Sequence, residues 1–231
     1  LTLPIRNLHP VPDALPDEFA VFAEPLAAAC EILQQVHVRP TDRAAVLGDG
    51  KLGILCAQVL ALTACNLTVV GHHQEKLDVL SRRGIHTALE PEFGNEDGNE
   101  IGNDQAKSGF DLVVEATGHP AGYAAARQLV RPGGTVVLKS TYHGSLDAHL
   151  TSAVVDEITL VGSRCGPFAP ALRLLEQGLV DVLPLIHAQY PLSEALVAFD
   201  QAARPGTLKV LVDCTVCNSA ATSTRGNMRS C

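Results

Sequence analysis

Gly48-Asp49-Gly50-Lys51-Leu52-Gly53 follows directly on the apolar run Ala44-Ala45-Val46-Leu47 and opens an apolar stretch with helical character. A strand, a tight glycine turn and a helix, in that order, place the pyrophosphate of a dinucleotide on a helix N-terminus. Gly48 permits the sharp turn. Gly50 has no Cβ, so phosphate oxygens can approach the backbone, and Gly53 lets the helix pack close to the strand. The first N–H groups of that helix have no intrahelical partner and carry partial positive charge, which favours an anion there. A turn of this kind alone is a weak signal, and the residues that follow it carry the rest.

Outward from the turn, short β-branched runs recur at 44–47, 67–70, 85–89, 112–115, 135–138 and 158–161. Helical segments lie between them at 51–62, 74–83, 121–129 and 152–155, and 170–177 has the helical spacing of Leu172 and Leu175. The alternation predicts an α/β fold, a Rossmann-type doubly wound parallel six-stranded sheet. Right-handed crossovers then put ligands at the carboxyl ends of the strands. The stretch 52–71 has no charged residue and is about long enough to span a bilayer. It begins inside the glycine turn and contains Gln58, Thr63, Asn66 and Thr68, so it reads as a buried helix followed by a buried parallel strand.

Three regions fall outside the alternation. Residues 90–109 are rich in Gly, Asn and acid and read as a mobile surface loop. Residues 215–231 are Ser, Thr, Asn and Arg without apolar period and read as a disordered tail. Residues 1–16 carry four prolines and read as extended over the surface, with Leu1-Thr2-Leu3-Pro4 resembling a strand already under way. Residues 17–36 read as one helical region with Asp17 and Glu18 at its start, where acids suit the dipole.

Of the 231 residues 46% are hydrophobic, enough for one sizeable core, and the net charge is −8 without a basic stripe. Nucleic acid and anionic membranes are thereby disfavoured as partners. Seven cysteines, spread widely and odd in number, argue against a disulfide framework and for a reducing, cytoplasmic compartment. The first residue is Leu1 and no signal peptide is visible, so the chain reads as a piece of something longer.

The strand ends hold the candidate chemistry. About 20 residues past the glycines an NAD site has an acid for the ribose hydroxyls. Here that place reads Val70-Gly71-His72-His73-Gln74-Glu75-Lys76, with Gly71 where the acid would be. Without a carboxylate, His72, His73 and Lys76 are candidate donors to a 2′-phosphate, which favours NADP over NAD. The plain alternative is a pair of solvated loop histidines. Ala116-Thr117-Gly118 closes the fourth strand with residues small enough for a nicotinamide ribose, Lys139-Ser140 follows the fifth, and Ser163-Arg164 follows the sixth. Each alone is an ordinary turn. All three on one side of one sheet point to a site.

Four stretches together resemble a known family: Ala23-Glu24-Pro25-Leu26-Ala27; the 48–53 turn; Val114-Glu115-Ala116-Thr117-Gly118 with Arg131-Pro132-Gly133-Gly134-Thr135; and Tyr190-Pro191-Leu192 through Ala198-Phe199 to Leu208-Lys209-Val210-Leu211-Val212-Asp213. The chain resembles the C-terminal, nucleotide-binding part of the medium-chain dehydrogenase/reductase superfamily, in its zinc-type alcohol, polyol and threonine dehydrogenase branch. The resemblance implies hydride transfer between an alcohol or polyol and NAD(P), with zinc polarising the substrate oxygen. It implies Glu24 as a zinc ligand or close neighbour, Lys209 near the cofactor, and self-association through the sixth strand. Without the resemblance, Glu24 reads as a helix-start acid favoured by the dipole; the resemblance favours the zinc-site role.

The resemblance also implies a division of the chain. Residues 1–23 would be a linker and remnant of a GroES-like catalytic domain, 24–183 the nucleotide-binding domain, 184–213 a return segment, and 214–231 a tail. The Cys and Gly-His-Glu zinc ligands of the family do not occur in this sequence, and Glu24 alone cannot hold a four-coordinate zinc. Cys214-Thr215-Val216-Cys217 is a single CxxC without a second pair and reads as non-functional. Competing readings are a non-catalytic NADP-binding module, a zinc-free quinone reductase, which Glu24-Pro25 disfavours, and a methyltransferase, which Gly71 disfavours.

Overall fold

The computed structural model describes residues 2–89, 109–141, 148 and 150–214. The expected loop at 90–109, except Gly109, and the expected tail at 215–231 lie outside them. The chain divides into two units, Leu1–Asp181 and Val182–Cys231.

The first unit holds strands β1 (Arg43–Leu47), β2 (Asn66–Gly71), β3 (His86–Leu89), β4 (Phe110–Glu115), β5 (Val130–Leu138) and β6 (Thr159–Gly162). They form one six-stranded sheet in the order β3-β2-β1-β4-β5-β6, every pair parallel. Its helices are α1 (Asp17–Ala20), α2 (Ala23–Cys30), α3 (Ile32–Gln35), α4 (Lys51–Ala61), α5 (Gln74–Ser81), α6 (Ala121–Leu129), α7 (Leu150–Val155) and α8 (Phe168–Glu176). The doubly wound parallel fold expected from the alternation is what the chain adopts. Strand order reverses between β1 and β4, which opens the crevice where such sheets bind ligands.

Burial follows the sequence pattern. Gly53 through Leu60 of α4 are all buried, Gln58 with its amide hydrogen-bonded among them, so this helix lies in the interior. No helix among the described residues is long and apolar enough to cross a membrane. Helix α6 instead buries one stripe (Gly122, Tyr123, Ala126 and Leu129), the spacing of a helix lying on a sheet. Ala126 and Leu129 join Ala45, Leu47, Val113 and Val136 in the core cluster.

Three local expectations change. The region 17–36 is three short helices, and Pro25, which cannot donate its nitrogen and whose ring would strike the carbonyl of a preceding helical turn, separates the first from the second. Pro25 is tolerated in the first turn of α2, so a new helix starts there. Strand β5 starts at Val130, five residues early, and a register irregularity between Phe110 and Leu112 of β4 absorbs the extra length. The described residues 2–4 are not a strand; a 3₁₀ turn follows at Ile5–Asn7.

In the second unit β7 (Ile186–Pro191) and β8 (Lys209–Asp213) pair in parallel, connected through helix α9 (Ala195–Ala202), which packs on both.

Candidate functional site

The carboxyl ends of four strands are stitched to the turns of their neighbours. Gly48 N donates to Val70 O at 2.8 Å, Ala116 N to Leu47 O at 2.9 Å, Lys139 N to Glu115 O at 2.9 Å, and Ser163 N to Leu138 O at 3.0 Å. Each bond extends a ladder by one residue, so the four turns picked out in the sequence line one edge of the sheet. At the switch point Gly48 has φ +113°, and a Cβ there would come within 2.6 Å of Ala116 O. Only glycine fits both demands. A Cβ on Gly53 would run into Gly48 O, which fixes how closely α4 sits on the turn. Gly50 is the N-cap of α4, with no side-chain cap on the helix and nothing within 4 Å of a Cβ placed there. Lys51 and Leu52 are half-buried in the first turn. The result is an uncapped eleven-residue helix whose N-terminus faces open space in the crevice.

Asp49 is where the structure departs most from expectation. Its side chain is 8% exposed and reaches across to the end of β2. Oδ2 accepts from the amides of His72 at 2.8 Å and His73 at 2.6 Å, and lies 2.9 Å from His73 Nδ1. Lys76 Nζ stands 3.9 Å from Oδ1. Burial works against the charged carboxylate. The His73 side-chain and main-chain hydrogen bonds, with the charges of Lys76 and His73, outweigh it and hold the carboxyl below its ordinary value. The premise that no acid stands at the β2 end is therefore corrected: the acid comes from the turn. Gly71 is small for the same reason, since a Cβ there would sit 2.5 Å from Asp49 Cβ.

The next turn is organised by Glu115, which sequence reading did not single out. Buried at 2% exposure, its Oε1 accepts from Thr117 N at 2.8 Å, Thr117 Oγ1 at 2.6 Å and Ser140 Oγ at 2.7 Å. Ser140 Oγ in turn accepts from Gly118 N at 2.7 Å. The signal was a lone acid ending the run Leu112-Val113-Val114, where only a partnered carboxylate can be buried. Ala116 is half-buried and Thr117 and Gly118 are exposed on this edge.

Lys139 and Ser163 face inward. Lys139 Nζ donates to Ala28 O at 2.6 Å, Ser163 Oγ at 3.1 Å and Arg164 O at 3.3 Å, so its three N–H groups are spent inside the protein. Burial lowers its affinity for the proton, against the raising influence of Cys56, Glu31 and Cys165. The bonds tie α2 to the ends of β5 and β6. Arg164 is exposed beside them.

Glu24 is exposed in the first turn of α2. Among the described residues no three His, Cys, Asp or Glu side chains stand close enough to hold a metal ion. Cys214 is exposed, and its CxxC partner Cys217 lies outside the described residues. Lys209 opens β8 in the second unit, paired in register with Ile186.

A parallel sheet with a glycine turn and an uncapped helix at its switch point defines a doubly wound, Rossmann-type α/β domain. The chain belongs to the zinc-binding dehydrogenase family, whose pattern its residues 52–177 match. It is similar to D-arabinitol dehydrogenase 1 of Uromyces fabae, with 29% identity over 220 residues covering 90% of this chain and 60% of that one. The chain spans 60–62% of the length of this and comparable curated relatives. Among solved structures, an alcohol dehydrogenase of E. coli CFT073 in complex with NADH has a TM-score of 0.77 at 21% identity, over 91% of this chain and 63% of that one. A protein of Sinorhizobium meliloti 1021 bound to NADP has a TM-score of 0.75 at 22% identity, over 87% and 61%. At these identities the structural likeness is one of fold.

Proposed function

We propose that this chain is the cofactor-binding part of an NAD(P)-dependent dehydrogenase that moves a hydride between a nicotinamide and the CH–OH carbon of an alcohol or polyol. The observation that carries the reading is the Gly50 N-cap: an uncapped helix N-terminus, open to approach, at the point where strand order reverses. Polyol dehydrogenases among the relatives support the substrate class. Among the described residues no three His, Cys, Asp or Glu side chains come together, so Glu24 and its surroundings do not by themselves fit a zinc ion.

When bound, the nicotinamide supplies the hydride acceptor or donor. This chain's own part is to hold it. The first amides of α4 take the pyrophosphate. The Glu115–Thr117–Ser140–Gly118 hydrogen bonds fix the turn beside it, which is small enough to admit a ribose. His72, His73, Lys76 and Asp49 stand together at the adenosine-ribose end, where NAD and NADP differ. A second copy of the chain on the β6 edge is the proposed assembly.

Thermal melts of the 231-residue chain with NADH and with NADPH test this. At least one nucleotide should raise the Tm. Gly50→Val should fold normally, because its Cβ meets nothing, yet bind more than about tenfold more weakly because the side chain blocks the phosphates. Unaltered melts with both nucleotides, or full affinity in Gly50→Val, would overturn the reading.

A further inference from the structure

We propose that Asp49 sets nucleotide choice, and that it selects against a 2′-phosphate by filling, from inside the glycine turn, the anion site at the end of β2. The proposal rests on the reading that the turn binds a nicotinamide nucleotide.

The groups that converge on Asp49 are those a phosphate would use. Two successive main-chain amides, His72 N and His73 N, point at one oxygen at 2.8 and 2.6 Å. The His73 ring adds a third contact at 2.9 Å, and Lys76 brings its ammonium within 3.9 Å of the other oxygen. They gather where the chain leaves β2 and enters α5. An anion belongs in such a place, and the protein supplies its own.

Asp49 cannot readily withdraw. It is buried and tethered next to Gly48, and leaving would strand two amides beside the turn. Gly71 completes the arrangement. Its missing side chain makes the room that the Asp49 side chain occupies, 2.5 Å from where a Cβ would lie. The carboxylate that other sites place after the second strand therefore arrives here from a position 22 residues earlier in sequence, and Asp49 and Gly71 act as a pair. Oδ2 is saturated. Oδ1 meets Lys76 at a distance long for a hydrogen bond, so it keeps acceptor capacity for a ribose hydroxyl. A 2′-hydroxyl can donate to it. A 2′-phosphate has no proton to give at neutral pH, finds the donors occupied, and sets its charge against a carboxylate in a poorly hydrated place.

The test is calorimetric titration of the full chain with NADH and NADPH, and separately with ADP and adenosine 2′,5′-bisphosphate, which probe the adenosine end alone. Wild type should bind NADH at least about tenfold more tightly than NADPH. Asp49→Asn keeps a carbonyl oxygen for the two amides and removes the charge. It should narrow that ratio severalfold, mainly through tighter NADPH, and the bisphosphate should gain on ADP in parallel. Equal or tighter NADPH binding by wild type overturns the proposal. So does an unchanged ratio in an Asp49→Asn protein that is folded at the titration temperature and unfolds cooperatively. If that variant does not fold, the wild-type ratio decides alone. Binding of both nucleotides with the wrong ratio defeats only the role of Asp49; binding of neither defeats the nucleotide reading and this proposal with it.

Discussion

Asp49 holds its charge where water scarcely reaches, and the sign of its pH dependence follows. Burial alone would raise its pKa, but the His73 hydrogen bonds and the Lys76 and His73 charges bring the folded value below the ordinary one. A group depressed on folding contributes stability that is fully present above its unfolded value, about 4 for an aspartate. That stability is lost as pH falls through the folded value. Urea denaturation of wild type and Asp49→Asn between pH 7 and pH 3 should therefore show the wild-type advantage constant down to about pH 4 and shrinking below it. An advantage that is absent at neutral pH, or that grows in acid, contradicts the account. This residue also marks the limit of sequence reading. The turn was legible because glycines at fixed spacing have few other uses. The acid was not, because its partners His72 and His73 are met only once β1 and β2 lie side by side.

At the scale of elements, Lys139 is the fastening that neither strand pattern nor family resemblance disclosed. As a polar residue at a strand end it reads as a ligand donor. In the fold its ammonium is shared among Ala28 O, Ser163 Oγ and Arg164 O and joins three segments. The thiols nearby stay neutral, burial pushing Cys56 up to about 12 and Cys30 up to about 11. Lys139→Met keeps much of the apolar stem but leaves the buried Ala28 carbonyl and the part-buried Arg164 carbonyl without this donor. It should cost about 2–3 kcal/mol by urea denaturation, with Lys139→Ala somewhat worse for the space it opens. A loss under about 0.5 kcal/mol in Lys139→Ala would mean that the bonds contribute little beyond a surface substitution. The elements themselves were legible where apolar runs were uninterrupted, as in β1, β2, β4 and α4. They were misread where one residue acts against its neighbours: Pro25 breaks a helical composition into separate helices, and the irregularity opposite Phe110 lets β5 begin early.

For the whole molecule, the six-stranded sheet leaves β3 and β6 as its edges, and an edge is a row of unpaired main-chain groups that must be covered, blunted or paired. Strand β6 has no blunting charge or proline in Thr159-Leu160-Val161-Gly162, and Leu160 is exposed on it. The helix leading into it, α7, turns Val154 and Val155 outward at 76% and 74% exposure. An apolar edge beside an apolar helix surface can be satisfied by the same surface of a second chain related by a two-fold axis, because each copy then presents what the other lacks. The proposed dimer through β6 predicts a sedimentation mass twice the 24.4 kDa of one chain. Leu160→Lys with Val154→Glu puts charges on that surface without entering the core, so it should give the single-chain mass with a Tm close to that of isolated wild-type monomer. A wild type that is monomeric at tens of micromolar, within the range where weak dimers assemble, would remove β6 as an interface, as would a dimer that survives both charges. In the case of a surviving dimer the β3 edge is the surface to vary, with Thr87, opposite Val69, as the first site.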